Sequence, residues 1–297
     1  MLGRAAGLFL SLSLACAGLG PSGPAEGSPS KVLVEVDMPE GTRSAWVHVP
    51  PGRDARGSLP ALFMFHGGTG NNGLKVVDLW KHRAADPWIM VFPNGQLERP
   101  TEPGWANGDE VALARDIAFV ERLVDEVTRR FRVDPDRRFA AGHSNGANLV
   151  YALACRAPDR FAGFAAVSQL LRQTLTERCS DRVRPLFTVQ GTTDPKARFE
   201  GFEGALSAEA SSRWLRDRAG CTGSGVTTWI DAPGDNTRVE RTVWDRCTRG
   251  VAYERWWVHG GGHSWPGSGN ADPDHSRDFS ASDEILAFFE RVTDRQR

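Results

Sequence analysis

Ser144 stands in Gly142-His143-Ser144-Asn145-Gly146, a pentapeptide entered by the apolar run Phe139-Ala140-Ala141 and left by Asn148 to Leu153 at helical spacing. Strand, sharp turn and helix are the expected order. The turn leaves no space for a Cβ two residues before or after the serine, which accounts for glycine at both places. A serine held in this way projects its hydroxyl above a sheet, at the N-terminus of a helix whose backbone N–H groups face the same point. The chemistry it could do is nucleophilic attack on a carbonyl. The pentapeptide alone is weak evidence, since a chain of this glycine content would hold Gly-x-Ser-x-Gly by composition about 0.2 times.

A serine hydroxyl needs a base within hydrogen-bond reach, and the base needs a third group to orient it and to stabilise its imidazolium. Asp194 follows a buried strand in Gly191-Thr192-Thr193-Asp194-Pro195, and His263 lies in the glycine-rich stretch after Trp256-Trp257-Val258. The order Ser144, Asp194, His263 is the one used by α/β-hydrolases. His259 is the rival base, but it continues directly from strand residues, whereas His263 lies on the loop beyond and can reach across to the serine. Negative charge on a tetrahedral intermediate requires two prepared donors. The backbone N–H of Asn145 is one, and the His66-Gly67-Gly68 turn supplies the other, with Gly68 preferred over Gly67 and Thr69. His66 and Asp116 read as structural residues.

The elements that must position these residues alternate between strand and helix. Lys31 to Val36 and Ser44 to Val49 read as an antiparallel pair turning at Pro39-Glu40-Gly41. Pro60 to Phe65, Trp88 to Phe92, Gly163 to Ser168 and Pro185 to Gln190 are apolar runs suited to strands buried on both faces. Val111 to Phe131 and Leu206 to Ala219 read as helices, and Val226 to Ile230, Arg238 to Trp244 and Val251 to Val258 as strands. A last helix from Asp283 to Arg295 opens with Ser280 and Asp283 in a capping box. The class is α/β, a mostly parallel sheet wrapped on both faces, with the site at the carboxyl ends of its strands. Only Gln169 to Arg184 separates the strand after Ser144 from the strand before Asp194, which leaves no space for a large cap domain.

Residues 1–17 read as a signal peptide, with Arg4, an apolar stretch from Ala5 to Leu14 and the small-x-small site Ala15-Cys16-Ala17. Ser13, three before Cys16, stands where a lipobox has a branched apolar residue, so cleavage is preferred to lipid attachment at Cys16. Residues 18–30 form a Pro/Gly/Ser-rich spacer and 31–297 the catalytic domain. No further stretch is long and apolar enough to span a bilayer. A net charge of −1 offers no footprint for nucleic acid. Cys155, Cys179, Cys221 and Cys247 are an even set in a chain with an export signal, and sequential pairing is expected, Cys155 with Cys179 and Cys221 with Cys247.

His-Gly after an early strand, Gly142 to Ala147, Ala154-Cys155-Arg156-Ala157-Pro158-Asp159-Arg160-Phe161, Gly191 to Pro195 and Gly260 to Gly267 occur together. This combination resembles the secreted esterases grouped as poly(3-hydroxybutyrate) depolymerases and feruloyl or acetyl xylan esterases of carbohydrate esterase family 1. The resemblance runs from about Lys31 to the last helix, and Gly262 to Gly267 is its most specific part. It implies the α/β-hydrolase fold, Ser144, Asp194 and His263 as catalytic triad, and a Cys221–Cys247 bridge near the histidine loop. The chain departs from many of these esterases at Gly68, where they have cysteine, and at Ala147, where they often have glycine.

The expected activity is hydrolysis of a carboxylic ester through an acyl-enzyme, on feruloyl or acetyl groups of plant cell-wall polysaccharide or on a polyhydroxyalkanoate-type polyester. Trp105 and Trp265 are expected to offer stacking surface for the substrate. No cofactor or metal is expected: His259 and His263 are spaced i, i+4 on glycine-rich loop backbone without a nearby glutamate. Two other readings share these features. One is an α/β-hydrolase peptidase, since a triad serves amides as well. The other is a catalytically idle carbohydrate-binding surface protein that keeps the fold.

Overall fold

Alternation decides which way each central side chain points. The computed structural model describes residues 30–52, 57–68, 72–99, 102–106, 108–232, 234–269 and 274–294. Residues 1–17, read above as a signal peptide, and residues 18–29 of the expected spacer lie outside the described residues, as does Thr69, and Ser30, expected in the spacer, belongs to the first strand. The strands are β1 (Ser30–Met38), β2 (Gly41–Val49), β3 (Leu59–Phe65), β4 (Ile89–Pro93), β5 (Gln96–Arg99), β6 (Glu102–Gly104), β7 (Val133–His143), β8 (Gly163–Val167), β9 (Leu186–Gly191), β10 (Val226–Ile230), β11 (Arg238–Trp244) and β12 (Tyr253–His259). The helices are α1 (Gly73–Val77), α2 (Glu110–Phe131), α3 (Asn145–Arg156), α4 (Gln173–Thr176), α5 (Ala208–Arg218) and α6 (Ala281–Asp294).

Ten strands form one sheet in the order β1-β2-β4-β3-β7-β8-β9-β12-β11-β10. The six from β4 to β12 run parallel, and antiparallel pairs close both edges. In β3, Phe63 and Phe65 face a core with Phe119, Leu123 and Val127 of α2 and Leu149 of α3. Leu62 and Met64 face the opposite core, with Ile285, Leu286 and Phe289 of α6. Two cores, one on each face, explain why the central strands are continuously apolar and do not alternate with polar residues. This is the α/β-hydrolase fold. Asp109 starts α2 by accepting the N–H groups of Val111 and Ala112, and Arg132 ends it in the left-handed region.

The Pro/Gly-rich stretch from Pro93 to Asp109 contains the small sheet of β5 and β6. Strands of three and four residues are too short to show a period, so only their pairing reveals them. Both disulfides form with the expected partners, Cys155–Cys179 and Cys221–Cys247. The position implied for the second one does not hold. Cys247 lies in the connection that enters β12, and the histidine loop leaves the other end of that strand. Seven residues of β12, on the order of 20 Å, separate them. Cys155 in the last turn of α3 also lies at the amino end of the sheet, so both bridges fasten the end opposite Ser144.

Candidate active site

β7 ends at His143, and Ser144 turns the chain into α3 with φ 54° and ψ −119°, a conformation that costs a non-glycine residue energy. Its N–H is fixed by the Val167 carbonyl at 2.9 Å, so the neighbouring strand β8 holds the turn. A Cβ at Gly142 would stand 2.5 Å from the carbonyl carbon of Gly146, and one at Gly146 would collide with the Phe65 carbonyl. Glycine at both positions is therefore required by close backbone approach, as the spacing predicts.

His263 is 2.8 Å from Ser144 Oγ through Nε2 and 2.8 Å from Asp194 Oδ2 through Nδ1. With Nδ1–H donated to the carboxylate, the neutral imidazole presents Nε2 as acceptor for the serine hydroxyl. The other Asp194 oxygen accepts the backbone N–H groups of Lys196 and Ala197 at 2.8 Å each. Burial alone would raise this carboxyl. The hydrogen bond and charge of His263 and the two N–H groups outweigh it and hold Asp194 below the usual carboxylate value. His259 takes no part. It lies 3.3 Å from Glu240 and against the Trp229 ring.

The turns that carry Asp194 and His263 are joined through their backbones. Thr193 N–H and its hydroxyl both donate to the Gly261 carbonyl, at 3.0 and 2.9 Å, and Gly260 N–H donates to the Thr192 hydroxyl at 3.0 Å. A Cβ at Gly191 would strike the Gly261 carbonyl. His143 packs on the His263 ring with centroids 5.2 Å apart. Burial, then the nearby charge of His263, lowers the His143 pKa to about 3, so it stays neutral beside the candidate base.

Asn145 opens α3, and Gly68 lies beside it: a Cβ at Gly68 would be 3.5 Å from Asn145 Cβ. His66 is fully buried, donates from Nδ1 to Gly67 O at 2.6 Å and accepts the Gly95 N–H on Nε2 at 2.9 Å. Burial lowers its pKa to about 4, in keeping with a structural, neutral histidine. Asp116 is structural too. It pairs with Arg43 at 2.6 Å and accepts Ala106 N–H at 2.7 Å, while burial pushes its carboxyl up against the pull of Arg43.

The two tryptophans are not stacking surface. Trp105 is 0% exposed, donates its indole N–H to the His66 carbonyl at 2.9 Å and packs edge-on to Phe65. Trp265 is 4% exposed and donates to the Ser282 hydroxyl, packed against Trp80. Strand-end position brings both close to the site, but large rings there are covered by the cores that meet beneath it.

Sequence reasoning passed over Gln190 and Ser168. The Gln190 carboxamide binds Ala197 O at 2.8 Å and Asp194 Oδ2 at 3.3 Å. The Ser168 hydroxyl reaches the loop that carries His263. Each is a polar residue ending an apolar buried run, and that is the signal that could have found them.

Residues 38–259 match the family described as "Putative esterase". Putative esterase NocK of Nocardia uniformis subsp. tsuyamanensis is 29% identical, over 89% of this chain and 90% of its own. Probable feruloyl esterase C of Aspergillus terreus is 26% identical over 76% of this chain and 78% of its own. Among solved structures, acetyl xylan esterase from Aspergillus awamori superposes with a TM-score of 0.64 at 15% identity, covering 89% of this chain and 99% of that one. The carboxylesterase of Bacillus cereus gives a TM-score of 0.55 at 14% identity, over 84% and 94%. The chain belongs to this esterase family and is a serine hydrolase of carboxylic esters with the α/β-hydrolase fold.

Proposed function

We propose that the chain is an exported esterase in which Ser144 attacks the ester carbonyl and an acyl-enzyme is formed and hydrolysed. The observation that carries this reading is the unbroken run of hydrogen bonds Ser144–His263–Asp194, 2.8 Å at each step. His263 Nε2 takes the hydroxyl proton as Oγ bonds to the carbonyl carbon, and Asp194 holds the resulting imidazolium. The carbonyl oxygen becomes an oxyanion facing the backbone N–H groups of Asn145 and Gly68. His263 gives the proton to the departing alcohol, then takes one from the water whose oxygen bonds to the acyl carbon, and returns it to Ser144 Oγ as the carboxylic acid leaves.

The substrate class is a feruloyl or acetyl ester carried on polysaccharide, or a hydroxyalkanoate polyester. Relatives named as feruloyl esterases and a bifunctional acetylxylan esterase support the first of these. Export is supported by the pattern over residues 1–17 and by two disulfides, which persist in oxidising compartments. The test is fluorophosphonate labelling of the oxidised protein, with hydrolysis rates across acetate, butyrate, ferulate and hydroxybutyrate esters and a peptide panel. Labelling at Ser144 with ester turnover and no peptide cleavage is expected. Absence of labelling would sink the acyl-enzyme.

A further inference from the structure

Asn145 has two ends, and they face different tasks. Its backbone N–H opens α3 beside Ser144, while its carboxamide turns to the backbone of Trp105. Oδ1 accepts the Trp105 N–H at 2.7 Å and Nδ2 donates to the Trp105 carbonyl at 3.0 Å, so the side chain pairs with that residue as a neighbouring strand would. From the same residue the indole N–H reaches the His66 carbonyl at 2.9 Å, two positions before Gly68. One buried residue thus touches both arms of the oxyanion site.

Trp105 is itself fixed on every side. Phe65 meets its ring edge-on at 5.4 Å, the Arg43 guanidinium lies 5.7 Å from its centre, and the next residue, Ala106, is held by Asp116 at 2.7 Å. The two arms leave different strands, β3 and β7. Oxyanion donors act only when they lie within a few tenths of an ångström of where the charge develops. A rigid body spanning the arms from behind meets that need.

We infer that Trp105 and the Asn145 carboxamide are positioning residues that set the separation of the two oxyanion donors, an inference that rests on the acyl-enzyme reading above. Neither side chain touches the reacting atoms. Asn145→Ala removes both bonds to Trp105 yet keeps the residue 145 N–H. Asn145→Asp keeps the acceptor for Trp105 N–H and sets an oxygen against Trp105 O. Trp105→Phe removes the indole donor together with part of the ring that packs on Phe65 and Arg43, and leaves the backbone groups that Asn145 binds.

The test measures kcat, KM, and the affinities of a reversible boronic acid and of the product carboxylate, with folding followed by circular dichroism. Outright loss of an oxyanion donor costs about 100 to 1000 fold, so a displaced donor should lower kcat about 10 to 100 fold in Asn145→Ala, with KM within about threefold. Boronate affinity falls by the same factor while product affinity holds, Asn145→Asp shows a similar loss, and Trp105→Phe shows a smaller one. Folded Asn145→Ala and Trp105→Phe proteins with unchanged kcat and boronate affinity would overturn the inference. So would equal losses of boronate and product affinity, the mark of a merely structural role. Wild-type protein that is not labelled at Ser144 would overturn the acyl-enzyme reading and this inference together, whereas labelling with insensitive variants overturns this one alone.

Discussion

The Ser168 hydroxyl donates to the backbone carbonyl of Ser264 at 2.8 Å, and Ser264 directly follows His263. Ser168 is buried and adopts φ 55° at the carboxyl end of β8, so a strained residue ties the central sheet to the histidine loop. Ser168→Ala should lower stability by about 1 to 2 kcal/mol, because it removes one hydrogen bond and keeps the strain. Ser168→Gly loses the same bond but relieves the strain, and so should unfold at higher urea concentration than the alanine variant. In both, kcat should fall by more than KM rises.

Ser144→Ala should abolish ester turnover and leave the urea midpoint nearly unchanged, since alanine suffers the same backbone conformation. Ser144→Gly should be more stable than wild type by about 1 kcal/mol, as glycine adopts φ 54° without a Cβ clash. Equilibrium unfolding of the two variants side by side checks this pair of signs.

Acid should weaken the fold before most carboxylates titrate. Burial lowers His66 from 6.5 to about 4, so between these values the unfolded chain binds more protons and stability falls as pH falls. The full effect below about pH 4 is on the order of 3 kcal/mol. Asp194, also held low, adds a loss of the same sign at lower pH. His66→Gln should lessen the slope of unfolding free energy between pH 6.5 and 4, leaving the part that the buried His143 contributes with the same sign.

The Cys155–Cys179 bridge closes a separation of 24 residues, so replacing both by alanine should cost about 3 kcal/mol. Because it lies at the end of the sheet away from Ser144, kcat at room temperature should change by less than about twofold. Thermal unfolding and steady-state kinetics on one preparation read both quantities.

The meeting of Ser144, Asp194 and His263 was legible because each follows a strongly apolar strand. Phe139 to Ala141, Pro185 to Val189 and Trp256 to Val258 announce buried strands, and the next polar residues must then emerge at one end of the sheet. The glycines around Ser144 were legible because their requirement is local. Trp105 was misread for the opposite reason. What buries it comes from Arg43, His66 and Asn145, on three other elements, and nothing in the adjoining Pro/Gly-rich residues records them. The end of the sheet occupied by Cys221 and Cys247 was misplaced because pairing partners say nothing of strand direction, which the sheet alone supplies.

The bonds between Thr192, Thr193, Gly260 and Gly261 make the turns of Asp194 and His263 one mechanical unit. A chimera with a relative should therefore exchange the two turns together, with β9 and β12 beneath them. Swapping either turn alone would set a foreign carbonyl against Gly191, where there is no space for it.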